Sequence, residues 1–201
     1  MTRHGRQAAH RPSLIEWLLG AGEGAAQGGV RAGYFPNVLL RTHEDRTVRF
    51  YDDLMRGKIV IVNFMYVRCE GICPGTTANL VKVQEALGER VGRDVFMYSF
   101  TLKPDQDTPA DLREYAERHG VGPGWLFLTG RPDDIELLRR RLGFVDPDPV
   151  VDADKSQHIG LVRIGNEALD RWAACPALGN PEQIVRTVQW MQARSRVLAT
   201  G

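Results

Sequence analysis

A chain of 201 residues with 43% apolar and 25% charged residues is enough for one well-packed domain with extensions. A formal net charge of +1, without a basic stripe interleaved with aromatics, gives no basis for nucleic-acid binding. No apolar run approaches the roughly 18 residues of a membrane span, and three cysteines, Cys69, Cys73 and Cys175, do not make a disulfide framework at this size, so any cysteine function is local chemistry.

Residues 1–33 combine a basic start, a short apolar patch (Leu14, Ile15, Trp17, Leu18, Leu19) and a small-residue tail. Glu16 and Gly20 interrupt an apolar core already short for a signal peptide, so no export signal is established. The segment reads as a poorly ordered N-terminal extension or a short amphipathic helix. "NVLLRTHEDRTVRF" then predicts two short strands joined by a polar turn, an N-terminal β-hairpin. "KIVIVNFMYV" (58–67) is a nearly continuous β-branched, apolar run, as expected of a central strand covered on both faces.

A helix should follow, with Pro74 in its first turn, Leu80, Val83 and Leu87 on one face and Gly88 at its stop. "DVFMYSFTL" (94–102) predicts a second buried strand. "DTPADLREYAERHG" carries a Thr108 cap, Pro109 at the first position, Asp111 three residues after the cap and Gly120 past the last turn. "WLFLTG" is a third strand. "RPDDIELLRRRLG" is a third helix with Ile135, Leu138 and Leu142 on one face and Arg139, Arg140 and Arg141 in its last turn, where cations suit the dipole. After a long acidic loop, "HIGLVRIG" (158–165) predicts a fourth strand, with "EALDRWA" pairing back after a Gly165-Asn166 turn. Asn180 caps a final helix. This order predicts an α/β, thioredoxin-like fold over residues 34–195: a central mixed sheet flanked by helices, with the N-terminal β-hairpin and a short tail at 196–201.

In open α/β sheets, ligands gather at the carboxyl ends of the strands, and Cys69 and Cys73 lie between the first central strand and its helix. A helix N-terminus stabilises a thiolate, so at least one of the two should have a lowered pKa. Glu70 opposes this by local repulsion and Arg68 partly offsets it. The Cys-x-x-x-Cys spacing is one residue longer than that of a dithiol reductase. Helical residues four apart hold their β-carbons about 5–6 Å apart, whereas a disulfide wants about 3.5–4.5 Å. The longer loop therefore suits an ion between two sulfurs, although a flexible loop can still close a disulfide, and an inert buried pair is the third reading. Two soft thiolates favour Cu(I); structural zinc would need a second ligand pair, which the sequence lacks. Of five histidines, His4 and His10 fall in the extension, His43 in the hairpin turn and His119 at a helix end, where it would serve the dipole. His158, heading a strand, is left as a candidate third ligand or a structural residue.

The block "GKIVIVNFMYVRCEGICPGTTANLVKVQEAL", the "PDQDTP" that leads into a helix ending "ERHG", then "WLFLTG" and a late histidine resemble the Sco/SenC family of thioredoxin-like copper-binding proteins. The similarity runs over roughly residues 34–195. It implies copper, as Cu(I) or Cu(II), held by Cys69, Cys73 and His158. It also implies a metallochaperone delivering copper to the copper site of a cytochrome c oxidase or similar respiratory enzyme. Its partner would be the apo copper-site subunit, or another copper or thiol donor protein. The family is usually exported and often membrane-tethered, which implies a periplasmic or membrane-facing location, although no anchor is seen in this sequence.

Two departures touch the predicted metal environment. Lys103-Pro104 stands where the family commonly reads Asp-Pro, and Gln157 stands where it commonly has an acidic residue before the histidine. Both remove negative charge. Asp105 and Asp107 are candidates to compensate, or to shape the turn before Thr108. The competing function is a thiol-disulfide oxidoreductase with Cys69 and Cys73 as its catalytic dithiol. A peroxidase-like reading would enlist Thr76 and Arg68, which do not sit in a peroxidase motif. Cys175 is read as a small buried residue, with a resolving thiol as its alternative. Trp125 and Trp172 are assigned to core or rim.

Overall fold

The β-branched run predicted as a central strand organises the sheet in the computed structural model, which describes residues 33–154 and 160–192. The readings for residues 1–32, for Gln157 and His158, and for 193–201 lie outside the described residues. Strands β1 (Leu39–Thr42) and β2 (Thr47–Arg49) form the hairpin, and β3 (Ile59–Met65) is followed by helix α1 (Ile72–Leu87). Strand β4 (Val95–Thr101), helix α2 (Pro109–Arg118), β5 (Trp125–Gly130) and helix α3 (Pro132–Arg141) continue the alternation. A short helix α4 (Pro149–Ala153), the strand pair β6 (Leu161–Asn166) and β7 (Arg171–Pro176), and helix α5 (Pro181–Gln192) complete it.

The seven strands lie in the order β2-β1-β5-β4-β3-β6-β7. The three inner strands β5, β4 and β3 are parallel and the outer pairings antiparallel. Strand β3 is hydrogen-bonded on both sides, and Val60, Ile61, Val62, Phe64 and Met65 are all buried, so its continuous apolar run has a place to go on either face. Local signals were read correctly where the chemistry is local. Thr108 and Asp111 form a reciprocal capping box with Pro109 in the first turn, Gly88 and Gly120 end their helices with φ of 55° and 67°, and Asn180 accepts from the Glu182 N–H. Trp125 is a core residue whose indole N–H donates to Ser99 Oγ.

Four expectations need correction. The reversal between β6 and β7 is not a Gly165-Asn166 turn. Strand β6 runs through Asn166, and a 3-10 turn at Glu167–Leu169 closes it with Asp170 at φ 48°. Gly165 has to be glycine inside the strand, because a Cβ there would lie 2.1 Å from the Trp172 ring. The buried Glu167 ties this turn to the start of the domain, accepting from Tyr51 Oη and from the Gly57 N–H at 2.8 Å each.

The acidic loop contains helix α4, capped by Asp148, and it holds Arg139. Arg139 is not a solvated dipole cation. The residue is 4% exposed, and its guanidinium donates to both oxygens of Asp152 at 2.6 Å, to Glu136 at 2.8 Å and to the Phe144 carbonyl. His119 does not serve as a helix-end cation either, because burial lowers its pKa and its ring lies 4.3 Å from that of Tyr115. Between β2 and β3 a π-helical turn at Phe50–Met55, absent from the sequence reading, buries Phe50, Tyr51, Leu54 and Met55.

Candidate functional site

Strand β3 ends at Met65, whose carbonyl accepts from the Leu102 N–H of the neighbouring strand's exit. The chain then turns, with the Cys69 N–H donating to the Tyr66 carbonyl, and enters α1 at Ile72. Cys69 sits just ahead of the helix and Cys73 is its second residue, so both sulfurs lie at the carboxyl end of the central strand beside a helix N-terminus. Both are buried, Cys69 at 6% exposure and Cys73 at 1%.

The two thiols are not equivalent. Burial pushes Cys69 up, but hydrogen bonds from the Cys73 thiol, from the N–H groups of Cys73 and Gly71 and from the Tyr66 hydroxyl outweigh it, and its pKa is lowered. Cys73 is driven well above the ordinary range, first by burial, then because its S–H donates to Cys69, with the charges of Cys69 and Asp107 adding. Of the two, Cys69 is the thiol whose ionisation is favoured and Cys73 the one that keeps its proton.

Asp107 is neither a helix cap nor a loop charge. It is 3% exposed, and its Oδ2 accepts from the Val67 N–H and from Thr101 Oγ1, clasping the cysteine loop to the end of β4. Burial raises its pKa. Asp105 stays exposed. Two tyrosines missed by the sequence reading complete the surroundings. Tyr66 is pushed up to about 12, mainly by burial and then by its bond to Cys69, and Lys103 Nζ lies 4.1 Å from its ring centroid. Tyr115 bonds Thr77 at 2.9 Å; burial pushes it up to about 12 against that bond, with the charges of Cys73 and Cys69 adding. The signal for Tyr66 was its place directly before the loop.

Arg68 is exposed while Thr76 is 4% exposed within α1, so these two do not form a peroxidase-like pair on one surface. Cys175 is buried on β7 opposite Val162, with its sulfur 3.5 Å from Thr187 Oγ1, as a small packed residue should be. Among the described residues no group of three or more His, Cys, Asp or Glu side chains could hold a metal ion. His158 lies outside them. The two residues bracketing that stretch each interact with a chain neighbour of the cysteine loop. The charge of Asp154 contributes to the raised pKa of Tyr66, and Gly160 packs so closely on Ile72 that a Cβ would lie 2.4 Å from Ile72 Cδ1.

A family model described as SCO1/SenC matches residues 39–192. The chain belongs to the SCO1/SenC family. It is 33% identical over 78 residues to the SCO1 protein homolog of Bacillus subtilis, a match spanning 38% of this chain and 39% of that protein. Bradyrhizobium japonicum ScoI with copper bound shares the fold at TM-score 0.61 and 21% identity, over 76% of this chain and 96% of that one. BsSco, solved in identifying a disulfide switch in a member of the Sco family of cytochrome c oxidase assembly proteins, matches at TM-score 0.61 and 21% identity over 77% and 90% of the two chains. The mixed sheet flanked by helices is thus the thioredoxin-like fold of the family.

For this SCO1/SenC site the unequal thiols have a direct consequence. Alkylation of the reduced protein by iodoacetamide across pH, followed by peptide mass mapping, should label Cys69 with a midpoint below the free-thiol value of about 8.5. The rate should fall as pH drops through that midpoint, because only the thiolate attacks. Cys73 should stay unlabelled at neutral pH. Labelling of Cys73 ahead of Cys69 would contradict the assignment.

Proposed function

We propose that this SCO1/SenC protein is a copper-binding metallochaperone, with Cys69, Cys73 and His158 as its ligands and the copper site of a cytochrome c oxidase subunit, or of a similar respiratory enzyme, as recipient. One observation carries the reading: two buried sulfurs meet at a helix N-terminus, with the Cys73 S–H donating to Cys69, whose pKa is lowered while that of Cys73 is raised. With Cys69 as thiolate, exchanging the Cys73 proton for Cu(I) leaves the net charge of the pair at −1, so the helix N-terminus and the Tyr66 hydroxyl that favour the Cys69 thiolate also suit the loaded pair. A desolvated, two-thiolate pocket favours a soft monovalent ion over hydrated divalent cations. Oxidation to Cu(II) removes one unit of negative charge from the site, and a neutral imidazole fits the vacated demand for a third donor.

The chain length supports His158 in that role. Its Cα is two residues, at most about 7 Å, from that of Gly160, which rests on Ile72 beside Cys73. The copper-bound Bradyrhizobium protein and the oxidase-assembly description of BsSco support cargo and recipient. The proposal includes a periplasmic or membrane-facing place of action. Among the described residues no helix is long and apolar enough to cross a membrane.

The test is an anaerobic Cu(I) titration of the reduced chain against a chromophoric competitor, with proton release recorded. The expected result is one copper bound per chain with release of about one proton rather than two, and Cu(II) binding weakened in His158→Ala. Absence of stoichiometric copper binding would end the proposal.

A second reading, thiol-disulfide oxidoreductase, is favoured by the same asymmetry. Cys69 as thiolate would attack a partner disulfide, expelling one partner sulfur as thiolate. Cys73, once deprotonated, would then displace the second sulfur, leaving the partner dithiol reduced and the Cys69–Cys73 pair oxidised. Turnover of a model disulfide unaffected by His158→Ala, in a protein that fails to hold copper, would select this reading.

A further inference from the structure

None of the residues around the cleft between the α3–α4 connection and the β6–β7 pair belongs to the cysteine loop. It is a cavity of about 150 Å³ bordered by Tyr34, Phe35, Gly143, Arg141, Arg163 and Trp172. Its walls are aromatic. The Phe35 ring centroid is 5.2 Å from those of both Tyr34 and Trp172. Its charge is all of one sign, for two arginines and no carboxylate line it among the described residues.

The guanidinium of Arg141 lies 5.1 Å from the Tyr34 ring centroid, and Tyr34 Oη donates to the Arg141 carbonyl at 3.0 Å, which seats that arginine at the rim. Arg163 enters from β6 and donates through Nη2 to the Gly143 carbonyl at 3.3 Å. The approach is possible because residue 143 is glycine at φ 75°; a Cβ there would lie 2.4 Å from Nη2. Arg163 Nε is buried and has no hydrogen-bond partner among the described residues. A buried cationic donor left unpaired is costly, and such groups ordinarily have an acceptor.

We propose that this cleft is a binding site for a small carboxylate with a flat apolar body. A small shift of the Arg163 side chain would open its buried Nε to a carboxylate oxygen in the cleft, while Arg141 supplies a second positive charge. A guanidinium matches the planar carboxylate better than it matches a tetrahedral, strongly hydrated phosphate. The body of the ligand, one ring in size for this volume, would lie between Tyr34, Phe35 and Trp172.

The experiment titrates benzoate into the full chain and follows the Arg163 Nε–H and Trp172 Nε1–H resonances by heteronuclear NMR, with inorganic phosphate as a separate arm. Saturable shifts of both resonances are expected with benzoate and much weaker ones with phosphate. In Arg163→Met the affinity should fall about tenfold or more, the loss of a charge-assisted bond, while the ligand-free melting temperature shifts little, because the bond to the Gly143 carbonyl and the unpaired Nε are lost together. Arg141→Gln, at the exposed rim, should fold normally and weaken benzoate as well. No saturable shift in the millimolar range, or affinity unchanged in Arg163→Met, overturns the site. Phosphate binding as tightly as benzoate overturns the assignment of an apolar ligand body.

Discussion

Cys73→Ala is expected to lower Cu(I) affinity by more than about 100-fold, a loss that removal of an outer-shell partner alone can already reach, and at the same time to raise the pKa of Cys69. The two effects have one origin. In the proposed site Cys73 is the second sulfur for the metal, and without metal it is the thiol that donates to Cys69. Deleting it leaves a single soft ligand and removes the strongest of the bonds that hold Cys69 as thiolate, while burial, which pushes the other way, persists.

Cys73→Ser separates the two roles. A hydroxyl still donates to a thiolate, so the alkylation midpoint of Cys69 should return toward that of the unsubstituted protein. As a hard neutral oxygen it does not replace a thiolate for Cu(I), so affinity should stay low. Competitive copper titration and pH-resolved alkylation on the two variants check this. Retained tight Cu(I) binding in Cys73→Ala would exclude the second sulfur as a ligand.

Arg139→Ala should destabilise the domain by about 3–5 kcal/mol, the range for removing one partner of a buried ion pair. The Arg139 side chain is 5% exposed and that of Asp152 is 11% exposed, and the planar fork contacts both carboxylate oxygens at 2.6 Å. Truncation would leave the Asp152 charge buried and the Phe144 carbonyl without its guanidinium donor. Arg139→Lys should recover little, since one ammonium cannot reproduce the bidentate geometry. Denaturant unfolding measures the change at constant m-value.

Helix α4 is the element Asp152 anchors, and it leads directly to the stretch that carries His158. With the proposed ligands, loosening it should weaken Cu(II) binding, which would draw on His158, more than Cu(I) binding. A destabilisation under about 1 kcal/mol would mean that desolvation cancels the pairing.

The parts of this molecule that could be read from the chain are those whose partners are close along it. The Thr108 and Asp111 box spans three residues, and the apolar run of β3 declares its own burial by composition. The position of two cysteines at a strand-to-helix junction is likewise a local fact, and it was enough to locate the site and to expect a thiolate. Which cysteine is the more acidic was not legible, because it depends on the Cys73 S–H and the Tyr66 hydroxyl both donating to Cys69.

The misreadings share a cause. Asp107 looks like a turn residue until β3 and β4 lie side by side and bring the Val67 N–H, 40 positions away, to its carboxylate. Arg139 looks like one of three dipole cations in a last helical turn until α4 folds back with Asp152. By itself, the sequence determined the order of elements, the burial of the central strands and the donor types at the thiol mouth, since these follow from side-chain chemistry and short-range sterics. Only the tertiary structure decided which buried charges are paired, which thiol is the more acidic and where an arginine Nε is left without an acceptor among the described residues. Those outcomes depend on desolvation and on distances between segments remote in the chain, which no local pattern encodes.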